Sequence, residues 1–218
     1  PNLNVHEIIV DDDEPITETL TLTQRRQARK ESLEERCQAA ADLVNASDEQ
    51  WLVWCDLNDE SHRLWELCDD SWEIKGSDKP LYKVQTMADF SDDAIKCLVT
   101  KPSIAGFGMN WQQCHNMIFV GLSDSYEKYY QALRRCWRFG QEHEVNVYII
   151  ISAREGCVKE NIERKEQDAL KMKTAMIELT KEITKKELKT TCRLMTKKKK
   201  KTEMILPNWE EFSNECIR

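Results

Sequence analysis

Apolar positions along this chain fall into two patterns. The first is the short unbroken run: Trp51-Leu52-Val53-Trp54-Cys55, Ala94 to Thr100 around Ile95, Leu98 and Val99, Met117-Ile118-Phe119-Val120-Gly121, and Val145 to Ser152. Runs of this length bounded by polar turns predict strands buried on both faces, as in a parallel sheet. Trp72-Glu73-Ile74 predicts a shorter strand, and Leu3 to Val10 an extended segment. The second pattern is helical spacing. In Thr23 to Ala46 the small and apolar residues Leu33, Cys37, Ala40, Ala41 and Val44 recur every three or four positions, so one face can be buried. Glu60 to Cys68 has helical composition, and Leu81, Val84, Met87 and Ala88 mark a helix over Leu81 to Phe90. Ser125 to Trp137 is expected to be helical throughout, with Ser125 as its N-cap. From Glu155 the chain is charged and helical in composition for about thirty residues.

Strands therefore alternate with helices over Trp51 to Ser152, which predicts an α/β fold with a parallel sheet flanked by helices. Three regions follow: a leading segment and helix at 1–50, the α/β core at 51–154, and a helical, basic C-terminal extension at 155–218. A length of 218 residues suits one such domain with an appendage. The chain begins at Pro1 and not at Met, which fits a piece of a longer protein.

Charge changes this picture only locally. The net charge is -7, yet the sign is segregated: Asp11 to Glu14 is acidic, and Lys181 to Lys201 holds ten basic residues. The run Lys197 to Lys201 suits either a solvated tail or a phosphate backbone. Trp209 and Phe212 are expected to dock back on the domain, since exposed aromatics near a terminus are costly. Nine cysteines without a Cys-x-x-Cys pair argue for reduced thiols in a cytoplasmic protein and against a zinc site, so no metal ligands are expected. No run approaches the roughly 18 apolar residues of a membrane span, and no membrane partner is expected.

Two segments carry candidate chemistry. Thr100 to Asn110 follows a strand end and contains Gly106-Phe107-Gly108. The glycines permit close backbone approach, or simply turn the chain from strand to helix. Lys101 and Ser103 beside them can donate hydrogen bonds to a phosphate backbone. The second segment is Gln131-Ala132-Leu133-Arg134-Arg135-Cys136-Trp137-Arg138-Phe139-Gly140-Gln141. Arg134 and Arg138, four apart, would share a helix face, with Arg135 a neighbour of Arg138. Forked guanidinium donors suit a triphosphate, although Glu142 and Glu144 could equally neutralise a solvated basic face. Ligands of open parallel sheets bind beyond the carboxyl ends of the strands, so both segments are expected at that edge.

Taken together these segments resemble motifs of superfamily-two helicases. Ala105-Gly106-Phe107-Gly108-Met109-Asn110 resembles motif V. Gln131-x-x-x-Arg135-x-x-Arg138-Phe139-Gly140-Gln141 resembles motif VI, with the Gly-Gln ending of the Swi/Snf branch. By position Trp51 to Asn58 is similar to motif IV, with a sequence signal that is weak, as is that of Gly76-Ser77. The whole stretch is similar to a helicase C-terminal lobe of RecA-like fold, and looks closest to phage and prophage types. The resemblance implies ATP with Mg²⁺ as cofactor, DNA as partner, with duplex favoured over single strands, and an N-terminal RecA-like lobe of the same protein. It implies Arg135, Arg138 and Gln131 as catalytic residues. It places Gly106, Gly108, Asn110 and Arg134 at the nucleotide, and Lys101, Ser103, Asn58 and Ser77 at nucleic acid. Arg134 stands where many relatives have Gly or Asp.

No Gly-x-x-x-x-Gly-Lys-[Ser/Thr] and no Asp-Glu-x-His or Asp-Glu-x-Asp box occurs, so phosphate and Mg²⁺ gripping are expected from a missing lobe. The isolated chain is expected to be inactive. The competing expectation is a non-enzymatic module of RecA-like fold that binds nucleic acid or a protein partner. A Rossmann-type enzyme fits poorly, because Gly106-Phe107-Gly108 comes late and lacks the third glycine.

Overall fold

The structure is a computed structural model and describes residues 2–10, 22–106, 108–123, 125–153 and 156–195. Phe107, the acidic run at 11–14, the lysine run at 197–201, Trp209 and Phe212 lie outside them. The elements are β1 (Leu3–Ile9), α1 (Leu22–Glu31), α2 (Leu33–Asn45), β2 (Trp51–Trp54), α3 (Asn58–Leu67), β3 (Ser71–Glu73), α4 (Pro80–Ser91), β4 (Cys97–Thr100), α5 (Pro102–Ala105), β5 (Asn116–Val120), α6 (Tyr126–Leu133), β6 (Val145–Ile151) and α7 (Gly156–Met195). The chain divides into two compact units, 1–168 and 169–218.

The first unit is built on a six-stranded sheet in the order β1-β6-β5-β2-β4-β3. Every pairing is parallel. The expected α/β architecture is thus present, and the sheet also takes in β1 from the leading segment. Period-two alternation sorts the buried runs onto two faces. Leu52, Trp54, Leu98, Met117, Phe119 and Ile149 face Phe90, Trp111, Leu133 and Ile162. Trp51, Val53, Val99, Ile118 and Ile150 face Cys37, Ala40, Ala41, Val44 and Leu64 of α2 and α3. Covering both faces is what buries strands such as β2 and β5 at every position. Among the described residues no helix is long and apolar enough to cross a membrane.

Two expectations about helices need correction, for Thr23 to Ala46 and for Ser125 to Trp137, while the helix expected over Leu81 to Phe90 is present as α4. The stretch Thr23 to Ala46 is not one helix. It breaks at Ser32, whose hydroxyl donates back to the Ala28 carbonyl at 3.0 Å and accepts from Arg36 Nε at 3.1 Å. On α4 the apolar side chains Leu81 and Val84 are exposed, while Thr86 and Phe90 are buried. Phe90 meets Trp111 edge-to-face at 5.3 Å, and that contact sets which face turns inward.

Most important for the site, α6 stops at Leu133 instead of running to Trp137. The Gln131 carbonyl, which would accept the Arg135 backbone N–H in a continued helix, accepts Arg135 Nε instead at 2.9 Å. The Arg135 N–H turns to Ala132 at 3.1 Å. Arg134 to Gly140 are turns and bends, so Arg134 and Arg138 do not share a helix face.

Candidate functional site

The segment Gln131 to Gln141 lies at the amino edge of the sheet, not at the carboxyl edge expected for it. The residues it meets, Gln112 to Cys114, immediately precede β5, and Cys114 Sγ lies 3.5 Å from the Gln50 carbonyl just ahead of β2. The loop Gly106 to Cys114 carries the chain from the carboxyl end of β4 to this opposite edge.

Arg135 is 8% exposed and makes three hydrogen bonds through its guanidinium. Besides Gln131 O, its Nη1 donates to the Met109 carbonyl at 2.7 Å and its Nη2 to Gln131 Oε1 at 3.4 Å. The Arg135 carbonyl in turn accepts from Trp111 N at 3.0 Å. Burial draws this guanidinium below the ordinary arginine value, and the nearby charge of Arg138 adds to that. The sequence-predicted residues Gln131 and Arg135 are therefore brought together and tied to the glycine segment through Met109.

Gln141 is the clip that holds the rest of the segment. Its buried Nε2 donates to the carbonyls of Gln112 at 2.8 Å, Cys114 at 3.2 Å and Cys136 at 3.4 Å. Its Oε1 accepts from His143 N at 2.9 Å. Gln141 N closes a turn on the Arg138 carbonyl at 3.2 Å, with Gly140 at φ 95° as its third residue. Gln112 donates to the Phe139 carbonyl from the other side. The Gly-Gln ending thus has a physical role: glycine permits the turn, and glutamine anchors it.

The anchored turn presents two side chains outward. Phe139 is 95% exposed. Arg138 is partly exposed, and among the described residues its guanidinium makes no hydrogen bond or ion pair. Arg134 lies over the Trp137 ring at 5.5 Å. Among the described residues none of the three arginines pairs with Glu142 or Glu144. Glu144 is held by Asn2 and Asn4 at 2.9 and 3.2 Å, which also lowers its pKa. The simple neutralised basic face is absent.

In the glycine segment, Gly106 caps α5, and a Cβ there would collide with the Pro102 carbonyl oxygen. Gly108 has φ 84° and is exposed, as is Asn110. The structure shows no hydrogen bond between either of them and the arginines.

The carboxyl edge gathers other predicted residues. Lys101 Nζ donates to Asn58 Oδ1 at 2.6 Å, joining the turn after β2 to the start of α5. Ser103 is exposed on α5. Ser77 is exposed in the turn Lys75 to Asp78, where Lys75 N donates to Asp78 Oδ2 at 2.6 Å. The sequence reading missed the frame beneath Asn58. Glu60 Oε2 accepts from the backbone N–H of Asp56 at 3.0 Å and of Leu57 at 2.9 Å. Glu60 Oε1 pairs with Arg36 at 2.8 Å and Arg29 at 3.5 Å, and Arg29 also pairs with Asp56 at 3.2 Å. A glutamate at the third position of α3 was the available signal.

Residues 35–140 match the helicase conserved C-terminal domain family. The match spans a little under half of the chain, and over that stretch the chain is similar to helicase C-terminal domains. Over 129 residues the chain is 30% identical to the TATA-binding protein-associated factor mot1 of Schizosaccharomyces pombe; these are 55% of this chain and 6% of that protein. Among solved structures, the C-terminal part of the Fun30 ATPase domain is similar at a TM-score of 0.53 and 20% identity, over 59% of this chain and 45% of that one. The C-terminal domain of the DEAD-box protein Dbp5 is similar at a TM-score of 0.56 and 9% identity, over 77% and 86%. At these identities the two structures speak for the RecA-like fold alone.

Proposed function

We propose that this chain is the second RecA-like lobe of an ATP-dependent DNA helicase or translocase. One observation carries the reading: among the described residues Arg138 stands without a protein partner, on a turn anchored by Gln141 and beside an Arg135 committed to the glycine segment. An arginine carried on an anchored backbone turn and left uncompensated suits charge that arrives with a ligand. In this reading Arg138 reaches the γ-phosphate. Arg135 and Gln131 hold Met109, and so the run Gly108 to Asn110, in register with it. Arg134, stacked on Trp137, adds positive charge at the rim.

ATP supplies the phosphoryl group that passes to water. The chain contributes position and charge. In this reading Mg²⁺ belongs to a first lobe, since the chain carries no Gly-x-x-x-x-Gly-Lys-[Ser/Thr] and no Asp-Glu-x-His or Asp-Glu-x-Asp box. At the opposite edge Lys101, Ser103, Asn58 and Ser77 offer donors to a phosphate backbone, and the Swi/Snf-like Gly-Gln ending favours duplex DNA. Nucleotide and nucleic acid thus engage opposite edges of one sheet, so a lobe that tilts on hydrolysis also moves its DNA contacts.

The test is DNA-stimulated ATP hydrolysis by the full-length protein. Arg138→Ala is expected to lower turnover by about 10³ to 10⁵, as for other arginine fingers. The 218-residue chain alone is expected to show none. Unchanged hydrolysis in Arg138→Ala, or turnover by the isolated chain, overturns the assignment and favours a non-enzymatic binding module.

A further inference from the structure

The most exposed large apolar side chain among the described residues is Phe139, at 95%. Its backbone is held by Gln112, and its turn is closed by Gln141 N on the Arg138 carbonyl at 3.2 Å. A ring presented this way loses little conformational freedom on burial. Tyr130 is 37% exposed one turn of α6 before Arg134, and Arg134 lies over Trp137. Exposed aromatic and arginine side chains in one short stretch are what the centre of a protein interface is enriched in.

We propose that Phe139 is the anchor by which this lobe seats on the first ATPase lobe when the nucleotide cleft closes, filling an apolar socket on that lobe beside the triphosphate. This rests on the reading of Arg138 given above. The occupant is protein and not the nucleobase because Phe139 follows Arg138 directly, with Cα atoms about 3.8 Å apart. An Arg138 at the γ-phosphate keeps the ring at the phosphate end of the nucleotide, away from the base. Seating the ring and delivering the guanidinium are then one motion. Closure that fails to bury Phe139 also fails to bring Arg138 to the phosphate.

The experiment compares Phe139→Ala, Phe139→Leu and Arg138→Ala in the full-length protein, by DNA-stimulated hydrolysis of ATP and of GTP. Phe139→Ala is expected to lower kcat on the order of tenfold or more, by the same factor for both nucleotides. Phe139→Leu, apolar but not aromatic, is expected to restore most of the rate. Because the ring makes so little contact in this lobe, the urea midpoint of the 218-residue chain should be the same for all three. Parental kcat in Phe139→Ala alongside a collapsed Arg138→Ala overturns the inference and leaves the arginine assignment standing. A loss confined to ATP, or one that Leu does not restore, also overturns it by assigning the ring to the base. Parental turnover in both Ala variants overturns the reading of the whole site.

Discussion

Arg135 donates to the Met109 carbonyl at 2.7 Å, a bond that joins two segments 26 residues apart in the chain. The same guanidinium replaces a backbone N–H at Gln131 and so ends α6. Arg135→Ala leaves the Met109 carbonyl without its donor and removes three hydrogen bonds from a buried group. The expected cost is about 2–4 kcal/mol, seen as a lower urea midpoint at unchanged slope. Arg135→Lys should recover less than half of that, since one ammonium cannot span acceptors laid out for a fork. An alanine variant within about 0.5 kcal/mol of the parent would mean the clamp carries no stability.

Among the buried acids that make stability fall at alkaline pH are Tyr129 and Cys37. Tyr129 sits 4.9 Å from the Phe119 ring, and burial, then the charge of Glu166, pushes its phenol up to about 12. Burial, then Glu60, pushes the Cys37 thiol up to about 12. Both groups keep their protons in the folded chain where the unfolded chain has lost them. Their stabilising contribution is therefore full below the unfolded values, about 8.5 for cysteine and about 10 for tyrosine, and is lost as pH rises toward 12. Each group steepens the loss by up to about 1.4 kcal/mol per pH unit inside its window. Unfolding midpoints measured from about pH 8 to about pH 11.5 should fall progressively, and Tyr129→Phe should flatten the part above about pH 10. An identical profile in Tyr129→Phe would assign the loss to other groups.

The strands were legible because their signal is local: an unbroken apolar run such as Trp51 to Cys55 needs burial on both faces whatever its neighbours are. The arginine segment was legible as a motif for the same reason. Its edge of the sheet was not. That depends on the loop Gly106 to Cys114 crossing to the amino end of β5, a path no periodicity records. The end of α6 was hidden because one side chain outcompetes the backbone for the Gln131 carbonyl. Leu81 and Val84 have helical spacing, but Phe90 against Trp111, far along the chain, decides the buried face. Arg36 carried a faint signal, a charge beside the stripe Leu33, Cys37, Ala40, while its partner Glu60 lies 24 residues on.

That partner makes the last prediction. Arg36 and Glu60 are both fully buried and 2.8 Å apart. Glu60→Gln leaves the Arg36 charge beside a neutral amide, and unpairing a buried charge costs about 3–5 kcal/mol. Adding Arg36→Met removes the stranded charge, and the amide oxygen of the introduced glutamine can still accept from the Asp56 and Leu57 N–H groups. The double variant is therefore expected to be more stable than Glu60→Gln alone, a coupling that a double-mutant cycle by urea unfolding reads directly. Glu60→Leu with Arg36→Met should remain poor despite having no buried charge at this pair, because those two N–H groups then lose their acceptor. If it instead matches Glu60→Gln with Arg36→Met, Glu60 serves only to neutralise Arg36. The turn that carries Asn58 to Lys101 would then be held by some other contact.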